Sequence, residues 1–337
     1  MKLLIVTQVV DHTHPVLGFF HRWIEEFAKS CEQVTVICLQ EGEHDLPENV
    51  TVLSLGKENS VSKVRQLLQF YTYVWSKRAD YDSVFVHMNQ LYVILGGVIW
   101  RLTGKKIGLW YTHGTVSASL RIATLLTDKI FTASSESFKL ASNKKIITGH
   151  GIDTQVFKPE TVPKTTDLIT IGRITEAKNL HTLVAVVAEI NKETPVQLRI
   201  IGVPVTSADR EYEERIRAQI KSLNLQNNVH LAGAILHKDL PQELNSAKIF
   251  VTAATNGSLD KVMLEAMACG LPIVSMAEGS ESLPLKENQV GSQEEMCQVI
   301  LKVLVSGNYQ LNEHVTHVTN EHSLKRLIHN IHDIYVR

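Results

Sequence analysis

The feature that most restricts this chain is an alternation. Short, continuously apolar runs rich in β-branched residues recur along it, separated by segments of helical periodicity. Such runs are buried on both faces, as happens when helices cover both sides of a parallel sheet. In the first half the strand-like runs are 3–7, 34–39, 50–55, 83–88, 107–111, 129–133 and 146–148, with helical patterns at 18–30, 61–79, 90–102 and 137–142. The second half restarts the pattern. Strands are predicted at 168–172, 197–202, 229–232, 249–254 and 272–276, and helices at 179–191, 208–223, 239–247, 260–269, 292–305 and 323–335. Between the halves, residues 158–164 carry two prolines in a polar setting, the composition of a domain boundary. A chain of 337 residues can bury two cores. The expectation is α/β: two doubly wound domains, 1–160 and 161–320, facing across a cleft, with a terminal helix in 321–337. Ligands then collect beyond the carboxyl ends of the strands.

Two loops at predicted strand ends hold the residue types that bind a phosphorylated ligand. In the first, the run from Thr255 to Ile273 reads as loop, helix and strand. Ser258 is placed to cap the helix and Asp260 to favour its positive first turn, while Gly270 ends it and Pro272 forbids continuation. The unpaired N–H groups of such a helix start suit an anion. In the second, Ile171-Gly172-Arg173-Ile174-Thr175-Glu176-Ala177-Lys178-Asn179 puts a guanidinium and an ammonium at a strand's carboxyl end, where they can embrace a diphosphate.

The wording of these loops is more specific than their spacing. Leu264-Glu265-Ala266-Met267-Ala268-Cys269-Gly270-Leu271-Pro272 resembles the donor-site signature of retaining glycosyltransferases with two Rossmann-like domains, the family-4 or group 1 type. Gly172-Arg173 followed by Lys178-Asn179 looks like the phosphate-binding loop of the same family. The resemblance implies the glycosyltransferase B-type fold, with the terminal helix packing back at the domain junction. It implies transfer of a sugar from a nucleoside diphosphate sugar to an acceptor hydroxyl with retained configuration, without metal or cofactor, in glycan or glycolipid synthesis. Arg173 and Lys178 would neutralise the departing diphosphate and Glu265 would grip the donor ribose. His113, in Tyr111-Thr112-His113-Gly114 after a predicted strand, would act with them as a catalytic residue contacting the donor sugar. The family usually carries a second Glu eight positions before the first, and here that place is Gly257. Gly172, Gly257, Ser258, Leu259 and Asp260 are therefore the other donor-side candidates. His14 and Gly18, in the loop after the first strand, are candidates for acceptor or phosphate contact. The competing readings are a nucleotide-sugar epimerase of similar fold and a catalytically weak nucleotide-sugar binder.

Composition narrows the partners. A formal net charge of −1 offers no electrostatic case for nucleic acid, and 20% charged with 44% hydrophobic residues is ordinary for a globular protein. Cys31, Cys38, Cys269 and Cys297 lack metal-ligand spacing and read as buried, reduced thiols in a cytoplasmic protein. Asp80-Tyr81-Asp82 precedes a strand, away from the expected cleft, and reads as a surface loop; no metal site is expected. The histidines at 314, 317, 322, 329 and 332 read as exposed. The segment 61–79 is basic and aromatic, which suits either packing on the sheet or resting on an anionic membrane. The expected partners are thus a nucleotide-sugar donor, a glycan or lipid-linked acceptor and, as the lesser reading, the inner face of a membrane.

Overall fold

The computed structural model describes residues 1–255, 257 and 259–336. The chain divides into two compact units, Met1–Asp153 with Glu321–Arg337, and Thr154–Asn320.

The first unit runs β1 (Lys2–Val10), α1 (Phe19–Ser30), β2 (Gln33–Glu41), β3 (Val50–Ser54), α2 (Lys63–Ser76), β4 (Ser83–His87), α3 (Gln90–Leu102), β5 (Lys106–Trp110), α4 (Ala118–Leu126), β6 (Lys129–Thr132) and β7 (Lys145–Ile147). All seven strands pair in parallel, in the order β3-β2-β1-β4-β5-β6-β7. Every residue of β4 is buried, as a central strand covered on both faces requires. One face of the sheet carries α1, whose Phe20, Trp23, Ile24 and Phe27 form its buried stripe, and the other carries the core of Phe70, Val74, Tyr92, Trp100 and Leu120 from α2, α3 and α4.

The second unit follows with β8 (Thr166–Ile171), α5 (Leu180–Ile190), β9 (Leu198–Ile201), α6 (Ser207–Ser222), β10 (Val229–Gly233), α7 (Leu240–Ser246), β11 (Ala247–Thr252), α8 (Lys261–Ala268), β12 (Ile273–Ser275) and α9 (Gln293–Ser306), after which come α10 (Asn312–Glu321) and α11 (Leu324–Val336). Its five parallel strands lie in the order β10-β9-β8-β11-β12. The unit begins at Thr154, ahead of 161, because the connecting segment already belongs to it. Phe157 lies against the His237 ring at 5.1 Å between centroids, and the Glu160 amide donates to Asn245 Oδ1 at 2.8 Å. Helix α11 returns to the first unit, where Leu327, Ile331 and Tyr335 are buried in the α1 layer.

Several expectations are corrected. Residues 137–142 are irregular after a turn, not a helix; Ser134 Oγ meets Ser137 Oγ at 3.0 Å and accepts from the Ser137 amide, and this local turn competes with helix formation. A helix does form at Ala118–Leu126, started by Ser117, whose hydroxyl accepts from the Leu120 amide at 3.1 Å. His314 and His322 are buried, and His314 Nδ1 donates to the Leu271 carbonyl at 2.8 Å. In the Asp80–Asp82 loop Tyr81 is fully buried and donates to the Val74 carbonyl, which anchors the turn ahead of β4. All four cysteines are buried free thiols.

Candidate functional site

The strand order of the second sheet reverses between β8 and β11, and an open α/β sheet collects ligands at such a point. The loops leaving those two strands therefore lie side by side, and the Thr255 amide donates to the Ala177 carbonyl at 2.9 Å across them. These are the two loops that the sequence singles out.

The turn out of β8 is made possible by two glycines. Gly202, at the end of β9, has φ of 145°, and a Cβ there would lie 1.9 Å from the Gly172 carbonyl oxygen, so only glycine lets the two backbones approach. Beyond Gly172 the chain passes Arg173 and a short 3-10 turn, Glu176–Lys178, before Asn179 starts α5. Asn179 has φ of 51°, a left-handed conformation that asparagine tolerates.

Arg173 keeps 53% of its side chain exposed, with Nε 3.8 Å from Asp209 Oδ2. Asp209 is held well below the usual carboxylate range, chiefly by the Thr206 amide and then by the Thr175 side chain. It also completes a capping box with Thr206 at the start of α6. Lys178 forms an ion pair with Asp260, the residue preceding α8. Asp260 is the N-cap by backbone geometry, yet its side chain accepts no helix amide. The expected cap, Ser258, lies outside the described residues. Leu259, next to Asp260, is buried.

Glu265 sits one turn into α8 and is 1% exposed. Burial by itself raises a carboxyl pKa, but Lys261 Nζ at 2.9 Å and His237 Nε2 at 2.8 Å from Oε1 outweigh it and hold Glu265 at about 2. It is therefore a fixed anion throughout the physiological range. Gly257 has φ of 62°, and the atom that a Cβ there would meet within 4 Å is Glu278 Oε2, at 3.6 Å. A carboxylate from the loop after β12 thus stands beside the position that lacks a side chain.

The structure brings Gly172, Lys178, Asp260, Lys261 and Glu265 together around the two adjoining loops, with Arg173 on the β8 side. His113, His14 and Gly18 belong to the first unit. His113 is exposed in the loop leaving β5, with its ring 5.7 Å from that of Tyr111. His14 is occupied locally: Nδ1 accepts from the amides of Val16 and Leu17 at 3.2 and 3.0 Å. Gly18 is the N-cap of α1, and a Cβ there would lie 2.7 Å from the His14 carbonyl, so close packing explains the glycine. Sequence reasoning missed His237, Lys261, Asp209 and Glu278. Only Lys261 carried a local signal, four residues ahead of Glu265 on the same helix face.

Two α/β units on parallel sheets are the architecture of the glycosyltransferase B-type fold. Residues 151–295 match the model of the glycosyl transferases group 1 family. It is 28% identical over 154 residues to a phosphatidylinositol N-acetylglucosaminyltransferase polypeptide of Arabidopsis thaliana, and the match spans 45% of this chain and 33% of that one. It is 26% identical over 248 residues to the 2-deoxystreptamine N-acetyl-D-glucosaminyltransferase of Niallia circulans, with 60% of each chain spanned. Both matches thus cover less than two thirds of the relative's own length. Among solved structures it resembles Anabaena HepE in complex with UDP, with a TM-score of 0.77, 18% identity and 99% of each chain covered. It also resembles the sucrose-phosphate synthase of Thermosynechococcus elongatus, with a TM-score of 0.73, 16% identity and 99% and 98% of the two chains covered. Among the described residues no helix is long and apolar enough to cross a membrane.

Proposed function

We propose that the protein moves a sugar from a nucleoside diphosphate sugar to an acceptor hydroxyl, with retention of anomeric configuration. The observation that carries this reading is the placement of Arg173 and Lys178 on one loop at the switch point, beside the helix that holds Glu265. In the reaction the bond from C1 to the β-phosphate oxygen breaks and its electron pair leaves with the diphosphate. The sugar becomes oxocarbenium-like. Arg173 and Lys178 stabilise the charge that accumulates on the leaving group, which lowers the barrier beyond any gain in binding. The acceptor oxygen bonds C1 from the face the diphosphate leaves, and its proton passes to a departing phosphate oxygen.

Glu265 accepts from the vicinal ribose hydroxyls, a task for a permanently ionised carboxylate. Glu278 takes the sugar contact that Gly257 cannot make. His113 polarises a donor hydroxyl by hydrogen bonding. The two side-chain cations stand in place of a metal ion, and no cofactor takes part. The acceptor is a glycan or a lipid-linked glycan, and the setting is cytoplasmic.

A second reading, a nucleotide-sugar binder of low turnover, draws support from Gly257 and from Lys178 being already paired with Asp260. The test is calorimetry with UDP-, GDP- and ADP-sugars, followed by product analysis with an acceptor panel. Binding that disappears in Arg173→Ala and Lys178→Ala, with sugar transfer by the unaltered chain, supports the first reading. Binding without transfer supports the second, and binding unaffected by both variants rejects the site.

A further inference from the structure

Helices α2, α3 and α4 cover one face of the first sheet, and their outer surface is unusual in both polarity and charge. On α2 the residues Val64, Leu68 and Trp75 form a stripe exposed to solvent, and Leu67, 40% exposed, lies at its edge beside the buried Phe70 and Val74. Leu68 is 62% and Trp75 56% exposed. On α3, Leu91, Val98 and Leu102 follow the same helical spacing, and Leu102 is 83% exposed; on α4, Ile122 and Leu125 continue the surface. Isolated exposed apolar side chains are common, but eight aliphatics and a tryptophan on three neighbouring helices give this side of the unit a strongly apolar surface.

The charges on this face have one sign. The three helices carry Lys63, Arg65, Arg101 and Arg121 and not a single Asp or Glu. Across residues 61–127 there are eight Lys and Arg against two Asp, in a chain whose net charge is −1. The nearby carboxylates lie in the loops at the helix ends. Asp80 is 3.3 Å from Lys77, Asp82 accepts from the Lys2 amide, and Asp128 is 3.5 Å from Arg101. Arg78 lies 4.5 Å over the Trp75 ring, so the aromatic anchor carries a cation with it. Between α2 and α3 a cavity of about 290 Å³ opens, lined by Leu67, Phe70, Leu91, Tyr92 and Leu95 with Lys63 among its walls.

We propose that this face seats the protein on an anionic lipid bilayer, with the aliphatic and tryptophan side chains in the interfacial layer and an acyl chain entering the α2–α3 cavity. The chemistry is that of a surface-lying amphipathic element: apolar side chains bury in the acyl boundary while lysine and arginine meet anionic head groups. The absence of carboxylates from the three helices favours a bilayer over a protein partner, whose surface would offer charges of both signs. The face belongs to the first unit and the donor loops to the second, and vesicle binding is read without sugar transfer, so the two proposals are tested independently.

The experiment is co-sedimentation of the full chain with vesicles of phosphatidylcholine alone and of phosphatidylcholine mixed with phosphatidylglycerol. Binding is expected to the mixed vesicles and to weaken as salt is raised. Replacing Lys63, Arg65 and Arg121 by Gln is expected to weaken it by roughly fivefold per charge removed. The combined Leu68→Ser, Trp75→Ser and Leu102→Ser variant is expected to lose it with its thermal midpoint kept, since all three side chains face solvent. Free glycerol 3-phosphate is expected not to compete, because the head group alone lacks the chain that fills the cavity. No sedimentation, equal binding to neutral vesicles, or competition by glycerol 3-phosphate overturns the proposal. Chromatography that shows a dimer dispersed by the triple serine variant assigns the face to a second copy and overturns it equally.

Discussion

Lys178 is ion-paired with Asp260, a residue 82 positions further along the chain at the start of α8. The pair ties the loop after β8 to the loop after β11, and under the proposed function it sets a protein carboxylate against the ammonium that would meet the diphosphate. On that proposal a diphosphate competes with Asp260 for the Lys178 ammonium.

The first prediction follows from that competition. Asp260→Asn keeps the shape and removes the charge, and UDP is expected to bind roughly fivefold more tightly, in line with a partly exposed pair. Isothermal titration of both proteins at low and moderate salt measures this. Weaker binding by the variant would mean that Asp260 helps hold the ligand.

Removing the cations acts in the opposite direction. Arg173→Ala and Lys178→Ala are each expected to reduce turnover on the order of a hundredfold, the cost of losing a preorganised charge at a developing anion. Steady-state rates with saturating donor separate this from binding alone, because an effect confined to KM shows that the residue merely holds the donor.

Glu265 makes a pH signature. Its folded-state value of about 2 lies below the ordinary glutamate value of 4.5, so it contributes stability above pH 4.5 that is lost as pH falls toward 2. Glu265→Gln abolishes this titration. The difference in thermal midpoint between the two proteins is expected to be largest at neutral pH and to narrow through that window. A gap that stays constant from pH 7 to the acid limb assigns the effect to packing.

Glu278 is expected to sense the sugar and not the nucleotide. Glu278→Ala should bind UDP as the unaltered chain does, yet lose roughly tenfold in affinity for the UDP-sugar, the scale of one hydrogen bond to a charged group. Equal losses for both ligands place the carboxylate elsewhere.

The Gly172–Gly202 approach is a stability determinant. Gly202→Ala drives a methyl group into a carbonyl oxygen and is expected to cost about 3 kcal/mol, read as a lowered thermal midpoint. An unchanged midpoint would mean that the strand ends yield freely.

Much of this architecture was legible in the residues. Continuous apolar runs such as 34–39 and 83–88 became central parallel strands because both faces of each are covered, and periodicity reports that directly. The β8 loop and α8 were readable because glycine, arginine, lysine and the Leu264–Pro272 wording lie within single short segments. What escaped depends on contacts between distant positions. His237 meets Glu265 from 28 residues away, and Asp209 reaches Arg173 from α6, with no local pattern to announce either. The serine-rich 134–137 segment misled because hydroxyls that cap helices also build turns. His14 and Gly18 have local explanations in amide acceptance and close packing, which sequence does not separate from ligand contact.

The return of α11 to the first unit makes that unit discontinuous. Tyr335, in the last turn of α11, donates its hydroxyl to the Val84 carbonyl at 2.8 Å and lies over Gly108, where even a methyl group would collide with it. A fragment cut after Asp153 would leave Phe27, Phe85 and Phe131 without their cover. Any attempt to study this half in isolation must therefore splice the segment Glu321–Arg337 back onto it.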